Sequence, residues 1–169
     1  MVMHYHRNRF GSLTYNGIPI NFNNMNAWYP DPGVPGQSPD VARLIGMIGS
    51  NIIIDYGASY AMALPSKIPT FLNSIGFSAQ LRDFNHTTVQ QEIIAGRPVI
   101  LKAKTQAFLI SLNHHIWVCE GYRHDPNNGY KYYRMNWGWY GSQNGWYYYS
   151  SWDPGDKRYN RGRKMITVR

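Results

Sequence analysis

The 169-residue chain is short of cysteine, of acidic residues and of long apolar runs. A single cysteine, Cys119, excludes an internal disulfide framework, and it leaves the redox compartment unreadable. No apolar run approaches the roughly 20 residues that a bilayer-spanning helix needs, so no membrane span is expected. The stretch from Met1 to Phe10 is basic and aromatic and lacks an apolar core, so the sequence as it stands predicts no export signal. Acidic residues number 9 against 17 Lys and Arg, a formal net charge of +8. Six of those cations (Lys157, Arg158, Arg161, Arg163, Lys164 and Arg169) fall in the last thirteen positions, which reads as a solvated basic tail. No nucleic-acid motif accompanies the charge, and no nucleic-acid partner is expected.

Hydrophobic residues make up 43% of the chain and aromatic residues 15%, with 14 Tyr, a composition that predicts a β-rich globular body with aromatic-lined clefts. The length suits one core, and no repeat or linker divides it, so a single α+β domain over 1–169 is expected. Met1 to Tyr5 reads as the end of a helix. Short strands over 13–15 and 18–22, joined by Asn16-Gly17, predict a hairpin, with Trp28 and Tyr29 packed on it. Ser38-Pro39-Asp40 is a helix start, and Val41, Leu44, Ile45 and Ile48 repeat at helical spacing up to Gly49, which predicts a helix over 39–48. A β-branched strand follows at 51–55, then a second helix through 68–75 capped by Ser66. A strand is predicted at 78–83, and Thr88 and Gln91 read as a capping box for a helix over 89–95 that Gly96-Arg97-Pro98 breaks. Strands are predicted at 99–102, 106–111, 115–122, 130–136, 145–150 and 164–168.

Two motifs organise the remainder. Asn113-His114-His115-Ile116-Trp117-Val118-Cys119-Glu120-Gly121-Tyr122 places a His at the head of a β-branched run, and Asn136-Trp137-Gly138-Trp139 lies on the strand after the next turn. Paired strands of that kind bring an imidazole and an orienting group together.

Both motifs resemble the streptopain family of papain-like cysteine peptidases, with its Gly-His-Ala-x-Val-x-Asp-Gly-Tyr and Asn-Trp-Gly-Trp-Gly-Gly-x-x-Asn-Gly-Tyr-Tyr. Asp55-Tyr56-Gly57, Ile94-Ala95-Gly96-Arg97-Pro98-Val99 and Arg163-Lys164-Met165-Ile166 extend the resemblance over nearly the whole chain. It implies a papain-like α+β fold, short helices packed on an antiparallel, barrel-like β-sheet. It assigns the catalytic imidazole to His115 and the orienting group to Asn136 or Trp137, both of which are carried forward. The nucleophilic Cys of the family precedes a run resembling Met3-His4-Tyr5-His6, about two helical turns before Met1. The resemblance therefore implies a peptidase domain truncated at its N-terminus and inactive as given. It also implies a peptide or protein substrate, a propeptide or inhibitor protein as possible partner, no cofactor, and a secreted or envelope location.

A cysteine peptidase needs a thiolate, an imidazole that takes its proton and a group that fixes the ring. Cys119 does not suit the nucleophile's place, because four residues along a strand is about 13 Å, and it is expected to be a buried structural Cys. Adjacent strand residues face opposite ways, so His114 and His115 cannot converge on a metal ion, and no metal site is expected. Four positions depart from the family pattern: His114 replaces Gly, Glu120 replaces Asp, Tyr140 replaces Gly and Arg134 stands where His is common. His114, Trp139 and Tyr140 are expected to line the substrate cleft, with His114 and Tyr140 narrowing it. Trp139 and Trp146 are also expected to pack. The alternative function is a non-catalytic papain-like remnant that binds a peptide, propeptide or inhibitor protein in the old cleft.

Overall fold

The computed structural model describes residues 2–9, 13–25, 39–56, 61–105 and 114–169. Its elements run in chain order as helix α1 (Val2–Tyr5), strands β1 (Thr14–Tyr15) and β2 (Ile18–Pro19), helix α2 (Pro39–Ile52), strands β3 (Ile53–Tyr56) and β4 (Ala61–Ala63), helix α3 (Lys67–Ser74), strand β5 (Ala79–Asp83), helix α4 (His86–Ile94), and strands β6 (Val99–Lys104), β7 (His114–His124), β8 (Lys131–Asn136), β9 (Gly145–Tyr148) and β10 (Arg161–Val168). They form two compact units, one of His6–Gly76 and one of Met1–Tyr5 with Phe77–Arg169. The class is α+β, as expected. No helix among the described residues is long and apolar enough to cross a membrane.

In the His6–Gly76 unit, β1 and β2 make the predicted hairpin, with Asn16 and Gly17 both at positive φ in the turn. Trp28, Tyr29 and Ser38 lie outside the described residues. Helix α2 runs four residues past its expected end at 48 and takes Gly49, buried, into its body. Ser50 and Asn51 bond back to the Met47 carbonyl, so the last turn closes on itself and the following strand begins at Ile53. The Asp40 carboxylate receives the Asn21 N–H (3.1 Å), the Asn24 amide (2.9 Å) and Arg43 (3.1 Å), tying the 22–24 turn to α2. Ser66 does not cap α3 with its side chain. It is already helical in φ and ψ, and Lys67 turns back onto the Leu64 carbonyl instead.

The other unit holds a six-stranded antiparallel sheet in the order β5-β10-β6-β7-β8-β9. The sheet is open, with β5 and β9 at its edges. The predicted strand at 106–111 lies outside the described residues. Helix α4 starts earlier than predicted, because Asn85 accepts the Thr88 N–H (2.9 Å) and takes the capping place assigned to Thr88. β6 alternates buried and half-buried, and its Val99, Leu101 and Ala103 meet Trp117, Cys119, Tyr133, Met135, Trp137, Trp152, Tyr159 and Met165 in one core. Burying this set of apolar and aromatic side chains on one sheet face is the main stabilising term.

One charged group sits inside this packing. Glu92 on α4 is buried and receives Arg97 and, from the chain's last residue, Arg169. Burial favours its neutral form, but the hydrogen bonds and charges of the two guanidinium groups outweigh that and hold its pKa below the usual carboxylate range. Folded Glu92 therefore binds a proton more weakly than the unfolded chain does. The stability it contributes is present above the ordinary carboxylate value and is lost as pH falls through the folded one. Replacing Glu92 by Gln is expected to lower stability by about 2 kcal/mol at neutral pH and to flatten the fall in melting temperature below about pH 4, measured by thermal unfolding across pH.

Candidate active site

The site begins with strand alternation. His115, Trp117 and Cys119 share the core-facing side of β7, and β7 pairs with β6 so that Ala103 opposes His115. The His115 ring lies among four aromatic rings: Trp139 stacked at 4.8 Å, Trp117 at 5.9 Å, Trp137 at 6.1 Å and Tyr159 tilted at 5.7 Å. Its Nε2 is 2.8 Å from the backbone carbonyl of Trp137. A carbonyl only accepts, so Nε2 carries the hydrogen, and the neutral ring keeps its lone pair on Nδ1. That is the tautomer a proton acceptor needs.

The carbonyl is held by the loop that follows β8. Asn144 Oδ1 accepts the Trp137 N–H at 2.9 Å, and Asn136 Oδ1 accepts the Gly138 N–H at 3.1 Å. Ser142 N–H bonds the Trp139 carbonyl at 2.8 Å, and the Tyr147 hydroxyl bonds that of Gln143 at 2.5 Å. The loop turns sharply because Gly138, Tyr140, Gly141 and Gln143 all have positive φ. The Trp137 ring is fully buried against Trp117 (4.5 Å), Tyr159 (5.5 Å), Trp139 (5.6 Å) and the edge of Tyr147 (5.3 Å). Backbone and ring of Trp137 are thus fixed independently.

Electrostatics favour the neutral imidazole. Burial lowers the His115 pKa, the Trp137 carbonyl opposes that, and the Lys157 charge lowers it further. Lys157 Nζ lies 4.7 Å over the Trp139 ring.

The structure brings His115, Trp137 and Trp139 together and separates the other expected site residues from them. The Asn136 side chain closes the turn at Gly138 and makes no bond to His115. His114 projects from the opposite face of β7, opposite Lys104, where burial and then Lys102 and Lys104 lower its pKa. Tyr140 is 83% exposed, with φ +50° where the family pattern has Gly. Cys119 is buried in the core, and its thiol pKa is pushed far up by that burial. Its sulfur lies 3.8 Å from the Gly121 carbonyl. Two departures from the pattern prove to be partners, since Arg134 Nε lies 3.1 Å from Glu120 Oε1 across β7 and β8. Asn144, Lys157 and Tyr159 were missed as site residues. Asn144 sat inside the second motif without a role, whereas Lys157 and Tyr159 come from a later loop that no local spacing connects to His115.

Comparison with known proteins agrees with this architecture. The structure of active wild-type interpain A, a cysteine protease of Prevotella intermedia, superposes with a TM-score of 0.76 at 20% identity, over 98% of this chain and 78% of that one. The shared fold is that of a papain-like cysteine protease. No curated protein gives a significant match. The sequence profile of the peptidase C10 family matches residues 2–147, and the chain belongs to that family, the streptopain family. It is a cysteine-peptidase-like domain.

Two substitutions test the loop. Asn144→Ala leaves the Trp137 N–H without its acceptor and is expected to cost about 1 kcal/mol in denaturant unfolding and to shift the His115 titration by NMR. Tyr140→Gly relieves a left-handed residue whose side chain is in solvent. It is expected to raise stability by about 1 kcal/mol with the His115 titration unchanged.

Proposed function

We propose that this chain carries the imidazole half of a cysteine-peptidase centre, with His115 as the proton acceptor and the Trp137 carbonyl as its orienter. The single observation that supports this reading is the 2.8 Å contact from His115 Nε2 to the Trp137 carbonyl, which leaves Nδ1 as the basic nitrogen. In that chemistry a thiol passes its proton to Nδ1, the thiolate sulfur bonds the scissile carbonyl carbon, and the C–N bond breaks as the leaving amine takes the proton back. Water then releases the acyl group from sulfur. Trp139, stacked over the imidazole, shields it from water and forms the wall nearest the substrate. His114 contributes to the cleft through its backbone, because its side chain faces the other side of β7. Tyr140 lies at the cleft's outer rim. Asn136 acts through the turn that presents Trp137.

Cys119 does not supply the thiol in this reading. Its sulfur is buried, held neutral and about 13 Å along the strand from His115. The 169 residues taken alone form one peptidase-like domain that does not turn over peptide. The substrate class is peptide or protein, with a propeptide or inhibitor protein as a further occupant of the cleft. Streptopain-family proteases are extracellular, and the same location, secreted or at the envelope, is proposed for this chain.

The alternative of a peptide-binding remnant draws on Tyr140, which stands where the family pattern has Gly, has a left-handed backbone and presents a large exposed side chain. Incubating the purified 169-residue chain with casein and with fluorogenic peptides is expected to give no hydrolysis above buffer, for the wild type and for Cys119→Ala alike. Hydrolysis that persists in Cys119→Ala and disappears in His115→Ala would contradict the inactive assignment.

A further inference from the structure

The two edges of the six-stranded sheet differ in kind. Edge strands invite pairing, and proteins usually guard them with charge, proline or a bulge. β5 is guarded: it carries Arg82 and Asp83, and Asp83 is ion-paired with Lys164. β9, Gly145-Trp146-Tyr147-Tyr148, has no charged residue and no proline, and its register with β8 is unbroken. Among the described residues no strand covers its other side.

The sheet face beside this edge points away from the His115 cluster and is aromatic. Trp146 (40% exposed), Tyr148 (36%) and Tyr130 (51%) stand out of it, with Tyr132 opposite Tyr148 in register. Tyr148 meets Tyr130 and Tyr132 edge-on, at 5.4 and 6.1 Å. The Arg123 guanidinium lies between two rings, 5.0 Å from the centre of Tyr132 and 5.1 Å from that of Trp146. Arg134 on the same face is paired with Glu120, but among the described residues no carboxylate pairs with Arg123.

We propose that β9 and the face carrying Arg123, Tyr132, Trp146 and Tyr148 are a docking surface for an extended acidic polypeptide segment that adds to β9 as a seventh strand. An added strand takes its affinity from main-chain hydrogen bonds along the open edge and its selectivity from alternate side chains. Here those side chains meet Trp146 and Tyr148 at i, i+2 spacing, and an acidic one reaches the uncompensated Arg123. A second copy of this chain is disfavoured, because pairing two edges would bring together two chains of formal charge +8. A nucleic acid is disfavoured too. The rings pack edge-on, Arg123 already covers the faces of Tyr132 and Trp146, and a nucleic acid has no strand backbone to match β9.

The test is fluorescence anisotropy on the 169-residue chain with three labelled probes: an alternating glutamate-valine peptide, an alternating lysine-valine peptide and an oligothymidylate. Amide NMR mapping and solution mass accompany it. The glutamate-valine peptide is expected to bind, to move the amides of Gly145 to Tyr148, and to weaken about tenfold or more in Trp146→Ser and in Arg123→Ala. Unchanged far-UV circular dichroism and a cooperative thermal transition establish that both variants are folded. In Arg123→Glu the preference is expected to reverse toward the lysine-valine peptide. Binding of the oligothymidylate alone, a doubled solution mass without peptide, peptide binding that leaves the β9 amides unmoved, or no binding of any probe would each overturn the proposal. The surface does not involve His115, so these outcomes are independent of the peptidase reading.

Discussion

The hydrogen bond from His115 to the Trp137 carbonyl is the constraint around which the larger unit is built. A carbonyl at that place forces the imidazole into one tautomer, and everything nearby serves to keep the carbonyl there. β8 delivers the chain to Asn136, the positive-φ loop reverses it, and Asn144 reaches back to the Trp137 N–H. The indole of Trp137 is then locked by Trp117, Tyr147 and Tyr159, so the backbone group is positioned by packing as well as by hydrogen bonds. A ring held in this way has little orientational freedom left to lose.

The same aromatic packing sets the electrostatics. Rings exclude water from one side of the imidazole, which disfavours the imidazolium, and the Lys157 ammonium over Trp139 adds to that effect. The carbonyl of Trp137 works in the other direction by stabilising the protonated ring. On balance burial prevails, and the ring holds a proton less tightly than an ordinary histidine. Folded His115 binds a proton more weakly than it would in an unfolded chain, so its contribution to stability is complete above its ordinary pKa and declines as pH drops below it.

Much of this was legible in the sequence, for identifiable reasons. Strand alternation alone places His115, Trp117 and Cys119 on one face and His114 on the other, and the hairpin at Asn16-Gly17 follows from turn chemistry. The family pattern carried the α+β class and the pairing of the two motifs. Where reading failed, a competing local interaction had won. Gly49 did not end α2, because Ser50 and Asn51 satisfied the next turn. Asn85, one turn upstream of the expected box, took the cap of α4. Which group meets the His115 ring, the Asn136 amide or the Trp137 carbonyl, was undecidable from type and spacing, since a backbone carbonyl leaves no mark on residue identity. Glu120 and Arg134, which looked like separate losses, are fourteen residues apart and meet only through the β7-β8 register.

The state of the His115 ring is the most direct test of this arrangement. Long-range nitrogen-proton NMR of the histidines, assigned with His115→Gln and followed across pH, reports tautomer and pKa together. The expected result is that His115 carries its hydrogen on Nε2 and titrates below the ordinary histidine value of 6.5. A ring protonated on Nδ1, or one that titrates at or above that value, would contradict it.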